Sequence, residues 1–283
     1  MTSIEPLADA LAAYRSGDHD QAAELAAQAG RAGSTLADEL RAYLGGDGSA
    51  PVYDAPAAFT AFIRGGGNVE LYRALSAELA ARYDAGKPES LLDLGCGDGL
   101  AVVPALEQAS HLPPRIDLVE PSAALLEGVH ERVPSAQCWQ STAQDFLARD
   151  DLGWDLVQST FALQSIEPEQ RAEVLRALQP RTGTLVLAEF DVPEFEEGSP
   201  EHLRSLVERY ERGVAEYGED ATLVAQGFLL PVLLGIVSGQ QRTNWEHPAA
   251  VWAEQLRTAG FTEVDVTPLA DYWWSPAVLI TAC

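Results

Sequence analysis

The segment Leu91-Leu92-Asp93-Leu94-Gly95-Cys96-Gly97-Asp98-Gly99 holds the residue types and spacing best suited to chemistry. A strand-forming run enters G-x-G-x-G, and a helix-forming stretch follows from Leu100. Glycine permits a tight turn and lets a ligand approach the backbone with no Cβ in the way. The free N–H groups where a helix begins suit a carboxylate or ribose oxygens. Glu120 ends the next predicted strand, the place from which a carboxylate accepts both hydroxyls of a ribose. A dinucleotide turn reads G-x-G-x-x-G; its last place here is Leu100, so a nucleoside bearing an amino acid fits better than a diphosphate. Asp93 either satisfies turn amides or contacts that ligand, and Cys96 reads as a small residue tolerated in the turn.

Other candidates lie further along. His247 is the best-placed general base, with Glu246, Glu189 and Asp191 behind it. The pair His247-Pro248 also reads as a helix opening. His19, His111, His130 and His202 show no paired ligand spacing, so no metal site is expected. Tyr272-Trp273-Trp274 falls in a predicted loop, where exposing three aromatics is costly. With Trp245, Phe161, Phe190 and Gln164 they are candidates to line a cleft for a flat, apolar or cationic acceptor.

The elements that must position these residues follow from the pattern. From Lys87, short apolar runs alternate with amphipathic segments, which predicts βαβ units. Strands are expected at 90–94, 115–120, 136–140, 154–159 and 184–190, then a C-terminal pair at 263–268 and 277–281. The expected fold is α/β: a Rossmann-like, doubly wound, mostly parallel seven-stranded sheet with an antiparallel C-terminal hairpin. An N-terminal helical cap and a helical lid insertion complete it. The segments read as 1–50 (cap), 51–86 (helical connector and cofactor cover), 87–191 (core), 192–247 (lid) and 248–283 (completion of the core), with GGDGSAP at 45–51 as a linker. The acid-rich stretch 189–220 reads as a solvated helix face, and the apolar helix after it as core, dimer contact or pocket wall.

The chain has 283 residues and a net charge of −25, which excludes the positive footprint needed for nucleic acid and disfavours anionic membrane. Apolar residues reach 47%, enough for a real core. Cys96, Cys138 and Cys283 make no disulfide framework, and no leader is read at the N-terminus, so a cytoplasmic location is expected. The longest apolar run, Gly227 to Val237, reads as too short to cross a bilayer.

LLDLGCGDG, with Asp93 ahead of its glycines and Glu120 beyond, resembles the first motif of class I S-adenosylmethionine (SAM) dependent methyltransferases of the small-molecule, specialised-metabolism type. The resemblance spans 88–191 and 248–283. It implies SAM as cofactor, held by Asp93, Gly95, Cys96, Gly97, Glu120 and Pro121. It puts Ala143, Gln144, Asp145 and Phe146 in the adenine loop, where Thr142 replaces a common acid and leaves either Gln144 or Asp145 for the adenine amine. Ser159 or Thr160 would lie beside the methionine moiety. Asn68 is either a left-handed turn residue or, with Tyr72, a contact of the SAM carboxylate. Many relatives carry histidine near Gln164, and glutamine excludes a base there.

The expected function is methyl transfer to O, N or C of a small aromatic or apolar acceptor. Rivals are non-methylating SAM chemistry, protein methylation, and a non-catalytic interaction module. The expected partner is a small molecule, with neither nucleic acid nor membrane; a homodimer is left open.

Overall fold

The computed structural model describes residues 4–30, 33–45, 55–149, 152–239 and 244–283. Beyond Gly45, the expected linker lies outside the described residues. Helices α1 (Ile4–Arg15), α2 (His19–Gly30), α3 (Thr35–Gly45), α4 (Ala55–Arg64) and α5 (Asn68–Gly86) come first. Next are β1 (Ser90–Leu94), α6 (Val102–Gln108), β2 (Arg115–Val119), α7 (Ala123–Arg132), β3 (Gln137–Trp139), α8 (Ala143–Leu147), β4 (Trp154–Thr160), α9 (Pro168–Leu178) and β5 (Thr182–Phe190). Then follow α10 (Pro200–Val214), α11 (Ala221–Val224), α12 (Leu230–Ser238), α13 (Ala249–Ala259), β6 (Val264–Ala270) and β7 (Ala277–Ala282). These elements form two compact units: a helical one of Met1–Val69, Glu194–Asn244 and Trp273–Ser275, and an α/β one of Glu70–Pro193, Trp245–Tyr272 and Pro276–Cys283.

In the helical unit, the segments expected as separate cap and lid share one body. Leu7 and Leu11 of α1 are buried one turn apart, and α2 buries Ala22, Ala26 and Ala29 at the same spacing, which lets the neighbouring helices approach closely. Residues Gly218–Ser238 form one continuous helical run of 21 residues, whose most apolar 18 have mean hydropathy 2.0. That corrects the expectation of a run too short to span: length and composition alone suffice, because Pro231 falls at the start of α12 and does not break the helix. Its middle, Ala225–Leu229, is a π turn. Leu230, Leu233, Leu234 and Val237 are buried, α12 meets α1, α3 and α10, and Arg15 donates to the Val237 carbonyl at 2.8 Å.

In the α/β unit, the seven strands run in the order β3-β2-β1-β4-β5-β7-β6. Strands β1 to β5 are parallel, and β7 lies antiparallel between β5 and β6. Alternating side chains serve opposite faces. Leu91 joins a cluster with Leu75, Leu79 and Val129, while Leu92 and Leu94 join Val174, Leu175, Trp252 and Leu256 on the other face. Two apolar faces explain why these strands read as continuous hydrophobic runs. Asp117, deep in β2, is held by the indole N–H groups of Trp139 at 2.9 Å and Trp154 at 2.8 Å. The order reverses at β1, between β2 and β4, the place where open α/β sheets bind ligands.

Candidate active site

The glycine turn follows β1, with φ of +79° at Gly95, +56° at Gly97 and +76° at Gly99. The amides of Gly95 and Cys96 both donate to the Val119 carbonyl, at 2.8 and 3.1 Å, which ties the turn to the end of β2. Glu120 completes the tie: Oε2 accepts from the Gly97 amide at 3.1 Å and Oε1 from the Ser122 amide at 2.9 Å. Each carboxylate oxygen retains a lone pair for a further donor. A Cβ on Gly95 would stand 2.5 Å from the Ala162 Cβ, so the chain there can only be glycine.

Beside this turn lies a cavity of about 500 Å³. Its walls are Leu94, Gly95, Val119, Glu120 and Pro121; the loop Ser141–Gln144; residues Ala162–Leu163 and Ser165–Glu167 after β4; and Gln170 and Trp245. That size falls within the range of small-molecule sites. Ser141 Oγ and Asp93 Oδ1 are buried without a hydrogen-bond partner in the protein. The orphaned Ser141 oxygen, a glycine wall and an acid at the strand end fit a polar nucleoside carrying an amino-acid group.

The structure brings the expected cofactor residues Gly95, Glu120, Pro121, Ala143 and Gln144 to this cavity, together with Trp245, which was expected beside the acceptor. Ser141 and Thr142 join them from the expected adenine loop, and Glu167 and Gln170 without having been candidates. Asp145 does not line the cavity. Its amide donates to Thr142 Oγ1 at 3.1 Å, and its carboxylate accepts from the same hydroxyl at 2.9 Å, making an exposed reciprocal cap on α8. The Phe146 ring is buried against Trp139 and Trp154 in the core. Ser159 is fully buried and donates to the Leu94 carbonyl at 2.7 Å, joining β4 to β1. Cys96 is buried and points away from reactivity, since desolvation pushes its thiol pKa up.

Asp93 sits beneath the turn. Its Oδ2 accepts from Gln158 Nε2 at 2.9 Å, and Gln158 Oε1 accepts from the Tyr83 hydroxyl at 2.6 Å. Burial pushes the Asp93 carboxyl up to about 7; the Gln158 bond opposes this and the Glu120 charge adds to it. Asn68 is no left-handed turn residue: it begins α5, belongs to the helical unit, and donates to the Phe62 carbonyl at 2.9 Å and the Tyr217 hydroxyl at 3.2 Å.

Four aromatics form a row in the α/β unit. Tyr72 meets Phe161 edge-on at 6.0 Å, Phe161 stacks on Phe190 at 4.6 Å, and Phe190 stacks on Tyr272 at 5.1 Å. Phe161 holds φ +52°, a strained value for a bulky residue just past a strand end. Trp273 is not part of the row. It belongs to the helical unit, with its ring filling the space beside Gly213, where an added Cβ would meet it at 2.5 Å. The chain bends from Trp273 to Ser275, and Tyr272 and Trp273 serve different units.

Glu189, next to last in β5, has both carboxyl oxygens buried, facing the backbone of Leu163 and Gln164. Burial raises its pKa well above the usual carboxylate range, against the opposing Arg171 charge. Asp191 Oδ1 accepts from the Ala249 amide at 2.7 Å, capping α13. Pro248 stands at the start of that helix, and the His247 ring meets Trp252 edge-on at 6.0 Å. Glu246 is half-buried on the same strap. Gln164 donates to the Phe161 carbonyl at 3.2 Å. Among the described residues no cluster of metal-ligating side chains occurs.

The sheet order β3-β2-β1-β4-β5-β7-β6 is an α/β fold that solved methyltransferase structures share. Solved structures of that fold superpose on this chain. Mitomycin 7-O-methyltransferase MmcR matches at TM-score 0.52 and 17% identity, over 94% of this chain and 71% of its own. An O-methyltransferase family protein from Burkholderia thailandensis matches at TM-score 0.52 and 12% identity, over 76% of this chain. This chain spans 55% of that protein's length. Magnesium protoporphyrin IX methyltransferase (ChlM) from Synechocystis PCC 6803, solved with bound SAH (the demethylated cofactor), matches at TM-score 0.50 and 15% identity, over 81% and 95%. At these identities the likeness is one of fold. No family model matches the chain, and no curated protein matches it in sequence.

Proposed function

We propose that the α/β unit binds SAM and that the protein is a methyltransferase acting on a small aromatic or apolar acceptor. The grip of Glu120 on the Gly97 amide carries this reading, because it presents a carboxylate and a glycine backbone together at the mouth of a nucleoside-sized cavity. Glu120 accepts the ribose hydroxyls, Gly95 lets the ligand lie against backbone, and the loop Ser141–Gln144 meets the base. Asp93, with its free Oδ1, takes the amino group. When bound, SAM supplies a methyl group on an already activated sulfonium. The protein's remaining task is to align the acceptor and exclude water. Phe161, Phe190 and Tyr272 supply a flat wall for that acceptor. For a hydroxyl acceptor His247 serves as base, and an amine needs none. The acidic charge and the free Cys96, Cys138 and Cys283 support a cytoplasmic enzyme of specialised metabolism.

Differential scanning fluorimetry with SAH and with NAD tests the assignment. SAH at 100 times its Kd stabilises a single-site protein by about 2.7 kcal/mol and raises Tm by several degrees. Stabilisation by NAD and none by SAH would remove it.

A further inference from the structure

We propose that Trp245 is the platform on which the nucleobase of the cofactor stacks, and that the buried Arg171 positions it. The inference rests on the SAM reading above and moves Trp245 from the acceptor side, where its sequence neighbours suggested it, to the cofactor side.

Trp245 lies in an irregular strap ahead of α13, a place where a large aromatic would ordinarily be loosely held. Two main-chain bonds hold it instead. Its amide donates to the Gln164 carbonyl at 2.7 Å, and its carbonyl accepts from Arg171 Nη1 at 3.0 Å. The side chain stays half-buried and forms part of the cavity wall. Core tryptophans of the same unit differ: Trp252 is 0% exposed and Trp154 is 4% exposed. An indole carried on an anchored main chain and left open on a cavity is arranged for a flat ligand.

Arg171 explains the fixing. Its side chain is wholly buried on α9, a costly place for a charge. Desolvation lowers its pKa to about 10, which leaves it charged at pH 7. Nη1 reaches both the Trp245 carbonyl and the Leu163 carbonyl, at 3.0 and 3.3 Å, and Leu163 also lines the cavity. Nε donates to Gln255 Oε1 at 3.1 Å, and the guanidinium lies 4.1 Å over the Trp252 ring. One buried cation therefore joins two cavity-lining residues to α13.

The edge chemistry of the same cavity suits a purine. Gln170, the neighbour of Arg171 on α9, accepts from Gln144 at 3.3 Å. That pair leaves the Gln144 amide oxygen and the Gln170 amide N–H groups for the amine and the ring nitrogen along an adenine edge.

Titration of the full chain with SAH, read both by calorimetry and by tryptophan fluorescence, tests this. The wild type is expected to show quenching on saturation. Trp245→Phe keeps a stacking face, so Kd stays within about 3-fold while the quenching disappears. Trp245→Ala weakens SAH and adenosine alike by about 10- to 100-fold, the range of one base–aromatic stack. Arg171→Lys cannot reach two carbonyls and stack at once, so the quenching at saturation shrinks even in protein that is folded by circular dichroism. A merely structural arginine would lower Tm and leave the saturating signal intact; that result would contradict its positioning role. SAH bound by Trp245→Ala within 2-fold of wild type overturns the platform alone. No SAH binding by the wild type overturns the cofactor reading and this inference with it.

Discussion

The Glu120 carboxylate accepts the Gly97 amide at 3.1 Å, so the acid at the end of β2 and the glycine turn after β1 form one unit before any ligand arrives. Its other oxygen is held by the Ser122 amide at 2.9 Å, which fixes the plane of the carboxylate. A site held this way loses little freedom on binding, and preorganisation of that kind contributes to affinity.

The two glycines that flank Cys96 are expected to respond differently to alanine. At Gly97 (φ +56°) nothing lies within 4 Å of an added Cβ, so Gly97→Ala carries only the left-handed backbone cost of about 1 to 2 kcal/mol. At Gly95 the Cβ would stand 2.5 Å from that of Ala162, adding an overpacking cost of about 1 to 3 kcal/mol. Urea denaturation should rank wild type above Gly97→Ala above Gly95→Ala, and Ala162→Gly should recover the steric part in the Gly95→Ala background. Equal losses in the two single variants would contradict the turn geometry.

Asp93 makes stability depend on pH. Its carboxyl is raised from 3.8 to about 7, chiefly by burial. Between these values the folded state holds a proton that the unfolded state has released. The contribution is therefore fully present below about pH 4 and is lost as pH rises through 7, at about 1 kcal/mol per unit over pH 5 to 7. Asp93→Asn should flatten that slope. A cationic amine prefers the ionised acid, so SAH should bind wild type more tightly at pH 8 than at pH 6, and Asp93→Asn equally at both. A pH-independent wild-type Kd would rule out an Asp93–amine contact.

Phe161 joins the aromatic row but does not line the 500 Å³ cavity. Phe161→Ala is expected to raise the acceptor KM about 10-fold, the loss of one buried ring face, while SAH affinity changes less than 3-fold. Steady-state kinetics set beside SAH titration separates the two, and an equal loss in both would show that the ring serves the cofactor instead.

The sheet was legible because its strands are buried on both faces and so read as unbroken apolar runs such as Leu91–Leu94. The glycine turn was legible because φ values near +79° leave little choice of residue. Less visible were roles decided by distant backbone. Arg171 finds its partners at Leu163 and at Trp245, 8 and 74 positions away, and no local pattern announces a buried arginine bonded to carbonyls. The Thr142–Asp145 cap did carry a signal, the S/T-x-x-acid spacing of a helix start, which resemblance to an adenine loop overrode. Tyr272 and Trp273 are adjacent in sequence yet fall in different units, a division that composition cannot reveal.

Calorimetric titration of SAH into wild type and Glu120→Ala tests the central claim most directly. Two hydroxyl bonds to a charged acceptor are each worth about 1.5 to 3 kcal/mol, so the account predicts one site per chain in the wild type and a loss of at least about 100-fold in the variant. Undiminished binding by folded Glu120→Ala, or no binding by the wild type, would contradict it.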